Sequence, residues 1–230
     1  MNKNFEEFED KIGVTFKDKE LLRRAFTHRS YVNENKSVKK HNERLEFLGD
    51  AVLELIITEY LFEKYPNKPE GELTAVRAAL VNTQSISEAA KELGMNDFLL
   101  LSKGESKDVG RARQYILANV FEALLGAIYL DQGYAVAKEH ISKTLFDKTD
   151  KIVDNKLWQD AKSYLQERAQ EDVNITPTYK TVKEDGPDHD KHFTVSVMFD
   201  NKEIAIGMGK SKQEAEQDAA RKALALKEWN

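Results

Sequence analysis

The sequence predicts an all-helical domain followed by a small α+β domain with the element order α-β-β-β-α. Three observations predict it. Apolar residues recur at helical spacing up to about Phe146, alternate with period two in three short runs between Thr178 and Met208, and return to helical spacing in a last alanine-rich stretch. The expected boundaries are residues 1–147 for the first domain, 148–157 for a linker and 158–230 for the second domain. A chain of 230 residues with 40% hydrophobic content can bury one good-sized core and a smaller one.

Taken in order, Phe5 to Ile12 and Lys19 to Thr27 have helical periodicity, with Asp18 as a cap for the second. Thr27-His28-Arg29-Ser30 closes that helix, and His28 is expected to be partly buried and hydrogen-bonded to a neighbouring segment. A polar, basic connection from Val32 to Lys40 leads into a long helix from Asn42 to about Tyr65, which Pro66 and Pro69 end. The next helix is expected from Glu70 to Leu93, with Gly94 as its terminator. Phe98 to Leu101 is a short apolar run, followed by a mixed-charge loop from Lys103 to Arg113. A helix from Arg113 to Leu130 and a last one from Gly133-Tyr134 to about Phe146 complete the first domain. The polar stretch Lys148 to Lys156 has little to bury and reads as a flexible join. Beyond it, Trp158 to Gln170 and Lys212 to Lys227 read as helices flanking strands at Thr178 to Lys183, Phe193 to Phe199 and Glu203 to Met208. Gly186-Pro187-Asp188-His189 has the chemistry of a turn between the first two strands.

The long helix carries the chemistry. In Asn42-Glu43-Arg44-Leu45-Glu46-Phe47-Leu48-Gly49-Asp50, at ~100° per residue, Glu43, Glu46 and Asp50 fall within roughly 60° of one another. Leu45, Leu48, Val52 and Leu55 are expected on the opposite, core-facing side. Stacked like charges cost helix stability, which a divalent cation would offset. Gly49 inside a strong helix costs roughly 1 kcal/mol relative to Ala, so it marks a close approach of another segment. Phe47 lies beside the acids and off the core stripe, where a partner surface would cover it. A second helix repeats the pattern, with Asn119, Glu122 and Gly126 on one side and Phe121, Leu124 and Ile128 on the other. Hard oxygen donors without cysteine favour magnesium, with manganese as the alternative, over zinc.

These residues carry a resemblance. Glu43 to Asp50 resembles the signature of the ribonuclease III family. Thr27-His28-Arg29-Ser30, Glu70-Gly71-Glu72-Leu73, Arg77 to Val81, Lys103-Gly104-Glu105 and Ile116-Leu117-Ala118 leading into Glu122-Ala123-Leu124 extend the match across essentially the whole chain. The family usually has Asp where this chain has Asn119. The resemblance implies a helical endonuclease domain with Glu46, Asn119 and Glu122 as metal donors, Asp50 and Glu122 as catalytic groups and Glu43 more peripheral. It also implies a homodimer, into whose partner Phe47 would plug. Glu72 and Arg77 would lie near the RNA. The α-β-β-β-α tail resembles a double-stranded-RNA-binding domain. There Gln166, Glu167 and the His189 loop would reach successive minor grooves, and Lys210, Ser211 and Lys212 the phosphates between them.

The implied activity is hydrolysis of duplex RNA to 5′-phosphate and 3′-hydroxyl ends, with ribosomal precursors and other structured transcripts as substrates. A non-cleaving duplex-RNA-binding regulator is the alternative, because Asn119 brings no charge. A helical protein-interaction scaffold explains neither Gly49 nor the tail.

Composition bounds the reading. A net charge of −5 argues against a general polyanion binder, so any RNA contact must come from local clustering of lysine and arginine. No run approaches ~18 apolar residues, and the first residues lack an apolar signal core, so neither a membrane span nor export is expected. The lack of cysteine removes disulfide and thiolate chemistry and fits a cytoplasmic location.

Overall fold

The computed structural model describes residues 3–156, 158–187 and 191–229. They form two compact units that divide after Trp158.

The first unit is helical: α1 (Phe5–Ile12), α2 (Lys19–Ala25), α3 (Arg29–Glu34), α4 (Glu43–Lys64), α5 (Glu70–Val81), α6 (Thr83–Glu92), α7 (Arg111–Gln132), α8 (Tyr134–Ile141) and α9 (Lys148–Asp154). Its spine is α4 crossing α7. Helix α7 is buried nearly all round, with Ile116, Val120, Phe121, Leu124, Ala127 and Ile128 all in the core. Expecting only Phe121, Leu124 and Ile128 to face inwards therefore understated its burial. Helix α4 buries Leu45, Gly49, Val52, Leu53, Ile56 and Leu61. Leu55, expected with the core stripe, is instead 58% exposed.

Three further expectations change. The single helix from Glu70 to Leu93 is two helices, because the Asn82 backbone turns extended (ψ 159°) and its side chain accepts the Ser85 N–H at 2.9 Å. That is an N-cap, which starts a new helix without glycine or proline. Helix α3 runs from the Thr27–Ser30 stretch expected to close α2 into the connection expected from Val32; it is capped by His28, whose ring accepts the Ser30 N–H while the His28 backbone N–H donates to the Leu100 carbonyl at 3.1 Å. The supposed linker is helical from Lys148 to Asp154. Thr149 is fully buried, Ile152, Val153 and Trp158 pack on the first core, and Lys64 and Tyr65 both hydrogen-bond Asp150.

The second unit comprises α10 (Ala161–Val173), β1 (Thr178–Asp185), β2 (His192–Phe199), β3 (Lys202–Gly209) and α11 (Lys212–Leu226). The strands form an antiparallel sheet in the order β1-β2-β3, and both helices pack on one of its faces through Leu165, Ala169, Val197, Phe199, Ala219, Ala220 and Ala223. Alanines let α11 lie close. So do Gly207 and Gly209, where an added Cβ would strike the α11 backbone at Ala219 and Ala215. Among the described residues, no helix is long and apolar enough to cross a membrane.

Candidate active site

The site is built at the α4–α7 crossing. An added Cβ on Gly49 would collide with the carbonyl oxygen of Glu122, and one on Gly126 with that of Leu45. The two glycines therefore allow backbone to lie on backbone, as the interior Gly49 led one to expect. That approach brings Glu46 and Asp50 of α4 beside Glu122 of α7.

Electrostatics report the proximity. Burial, then the neighbouring Asp50 and Glu46, push the Glu122 carboxyl up to about 8. Glu46 is raised by burial and by Glu43 and Asp50. Both shifts follow from taking anions out of water next to other anions. Among the described residues, no lysine or arginine pairs with Glu46, Asp50 or Glu122. Glu43 is different: it is exposed and lies 3.6 Å from the Arg29 guanidinium and 3.7 Å from the His41 ring. Asn119 is half-buried, one helical turn before Glu122 on α7.

This donor set suits a hard divalent cation, since it consists of carboxylate and amide oxygens with uncompensated negative charge. Among the described residues, no group of three or more His, Asp or Glu side chains is gathered closely enough to hold a metal ion.

Other expected contacts are placed as follows. Phe47 is 82% exposed on α4. Leu55 and Phe62, the latter 72% exposed, lie within roughly 80° of it around the helix, so three large apolar side chains share one outward face. Sequence reasoning found Phe47 alone; the spacing 47, 55, 62 was the available signal. Glu72 is held by Lys68 at 2.7 Å, and Arg77 donates to the Thr58 hydroxyl at 2.9 Å, so both are engaged in helix-surface contacts.

In the second unit, Gln166 and Glu167 are exposed on α10, and Lys210 and Lys212 are exposed at the start of α11. Ser211 caps that helix by accepting the Glu214 N–H at 3.1 Å, and the Glu214 carboxylate accepts the Lys210 N–H at 2.9 Å. Two of the amides at this helix start are thus satisfied within the chain in a capping arrangement. The lysine ammonium groups and the serine proton remain for a ligand. His189 lies outside the described residues.

Comparison with known proteins agrees with this division. A family model described as Ribonuclease-III-like matches residues 18–149, and one described as the double-stranded RNA binding motif matches residues 161–227. The chain is 48% identical over 221 residues to Ribonuclease 3 of Geobacillus kaustophilus, covering 96% of this chain and 89% of that protein. It is 47% identical to Ribonuclease 3 of Enterococcus faecalis, covering 95% of each. A solved nuclease domain of ribonuclease III from Campylobacter jejuni, described for flexibility in a region involved in dimer formation, is 44% identical. It matches with a TM-score of 0.56, covering 61% of this chain and 98% of that one. With these matches over nearly its whole length, two carboxylate-bearing helices crossing at paired glycines and an α-β-β-β-α unit later in the sequence, the chain belongs to the ribonuclease III family of endonucleases.

Proposed function

We propose that this protein is a metal-dependent endoribonuclease that hydrolyses phosphodiesters of double-stranded RNA, leaving 5′-phosphate and 3′-hydroxyl ends. The observation that carries the reading is the meeting of Glu46, Asp50 and Glu122 with no ion-pair partner among the described residues, on a chain whose tail matches the double-stranded RNA binding motif. Glu46, Asn119 and Glu122 are the residues we assign to hold the metal, with Asp50 and Glu122 closest to the chemistry. A bound divalent ion, magnesium or manganese, supplies Lewis acidity towards water and neutralises charge at the departing 3′ oxygen. The protein side supplies position. The helix crossing holds the α4 and α7 backbones together and so keeps these carboxylates in one region of the domain. Glu43, tied to Arg29 and His41, orients the rim of the site.

Gln166, Glu167, Lys210, Ser211 and Lys212, together with His189, are the residues we assign to reading RNA in the second unit. Duplex RNA is read mainly through A-form shape, 2′-hydroxyls and phosphates, so broad sequence tolerance is expected. The outward face of Phe47, Leu55 and Phe62 supports a homodimer, in which two sites would act on the two strands of one duplex. We place ribosomal precursors and other structured transcripts of the cytoplasm among the substrates.

The test is incubation of the purified protein with long duplex RNA, with and without magnesium, beside Glu46→Gln and Glu122→Gln. Cutting that requires magnesium and is lost in both variants supports the reading. Cutting that survives Glu122→Gln refutes the assigned site.

A further inference from the structure

A cavity of about 570 Å³ lies between α2 and the loop that precedes α4. Arg23 and Arg24 from the helix and Lys39 and Lys40 from the loop line it, with Asp18 and Glu20 the acidic groups on its wall. Both arginines are half-buried, whereas both lysines are exposed. Arg24 is fixed by its Nε–H, which donates to the His41 carbonyl at 3.0 Å and leaves the outer guanidinium nitrogens to face a ligand. None of the four cations is in an ion pair among the described residues. In a chain of net charge −5, four unpaired cations converging from two segments are the local clustering that a polyanion contact requires.

The cavity is linked through His41 to the start of α4. His41, whose carbonyl holds Arg24, directly follows Lys40, and its ring lies 3.7 Å from Glu43 at the start of α4. A phosphate chain passing Glu43 would therefore meet Lys40 and Lys39 next.

We propose that this cavity is a phosphate-binding groove that takes the sugar–phosphate backbone of duplex RNA adjacent to the site of cleavage. It rests on the reading of the protein as a duplex-RNA nuclease. Its cations contact the backbone and carry no base specificity, so they hold the duplex in register against the acidic face that would otherwise repel it.

The test compares the full-length parent, Lys39→Ala/Lys40→Ala and the charge-matched control Lys11→Ala/Lys91→Ala. Duplex-RNA binding is measured in chelator, so that nothing is cut, over a range of potassium chloride concentrations. Each phosphate contact contributes roughly one to the slope of log Kd against log salt. The Lys39/Lys40 double variant is expected to lower that slope by about one to two and to weaken binding roughly three- to tenfold, while the control follows the parent. A parent that binds and cuts duplex RNA, with an unchanged slope in the double variant, overturns the groove and leaves the nuclease reading standing. A parent that neither binds nor cuts overturns both. A second arm titrates inorganic pyrophosphate: saturable binding that is lost in the double variant, with the RNA slope unchanged, assigns the cavity to a free phosphate ligand and overturns the RNA backbone as its occupant.

Discussion

Gly49 and Gly126 face one another across the α4–α7 crossing, each placed so that a Cβ would lie 3.0–3.1 Å from the other's backbone nitrogen and strike a carbonyl oxygen nearby. The atoms in the way are backbone, which cannot rotate aside. Gly49→Ala is therefore expected to push the helices apart, at a cost of about 2–3 kcal/mol. A loss of roughly 5–10 °C in the melting temperature of the first unit follows for a domain of this size. Thermal unfolding followed by circular dichroism checks it, and a melting temperature equal to the parent's would contradict the crossing.

The carboxylates brought together there set a pH dependence. Glu122 has its folded-state value raised to about 8, above the ordinary carboxylate value of 4.5. Its ionisation therefore opposes folding: the penalty is absent below about pH 4.5, grows as pH rises, and is complete above about 8. Without divalent ions, Glu122→Gln should be more stable than the parent at pH 8, by at least about 1 kcal/mol, since each tenfold change in a group's proton affinity on folding corresponds to ~1.4 kcal/mol. The difference should shrink towards pH 5. Urea unfolding in chelator at the two pH values measures it, and equal midpoints at pH 8 would show that Glu122 is not under that pressure.

Asn119 lies one helical turn before Glu122 on α7. Its amide oxygen can ligate a cation, but it brings no charge. Asn119→Asp is expected to tighten magnesium or manganese binding, read by calorimetric titration, while deepening the metal-free destabilisation at pH 8. Unchanged affinity would place the Asn119 side chain outside the cation's reach.

The acid pairing and the glycine crossing were legible because a helix converts spacing directly into direction. Glu43, Glu46 and Asp50 had to share a face, and an interior glycine had to admit something. What the period could not give was which side of α4 meets solvent. Leu55 has the chemistry of a core residue yet faces outwards with Phe47 and Phe62, because an exposed apolar face and a buried one read alike in sequence. The break at Asn82 was hidden for another reason: a capping side chain ends one helix and begins the next with no glycine or proline to mark it. Lys148–Asp154 looked like a linker from its charges, yet Thr149, Ile152 and Val153 suffice to seat one face of a short helix. At the start of α11 the lysines were readable, but the use of Ser211 and Glu214 to satisfy the helix's own amides depends on rotamers, which composition does not encode.

The outward apolar face of α4 yields a prediction about assembly. Phe47 and Phe62 make little use of the chain's own core, so Phe47→Glu/Phe62→Glu should leave the fold of the isolated subunit intact. Light scattering after size-exclusion chromatography should give a dimer for the parent and a monomer for the variant. A variant that stays dimeric would move the interface elsewhere.

The second unit offers a way to separate holding RNA from cutting it. Gly207 of β3 lies so close to α11 that an added Cβ would meet backbone atoms of Ala215 and Ala219. Neither the strand nor the helix can yield without losing the alanine face that seals this small core. Gly207→Val should therefore unfold the second unit, while the first, with its own core, keeps its structure. Calorimetry should show the first unit's transition retained and the other lost. Duplex-RNA affinity should fall by at least about tenfold, because the exposed Gln166, Glu167, Lys210 and Lys212 would no longer be held in one arrangement. Cleavage at saturating RNA should fall much less than cleavage at low RNA, since the carboxylates at the α4–α7 crossing are untouched. Equal losses at both RNA concentrations would mean that the second unit contributes to the chemical step itself and not only to capture of the duplex.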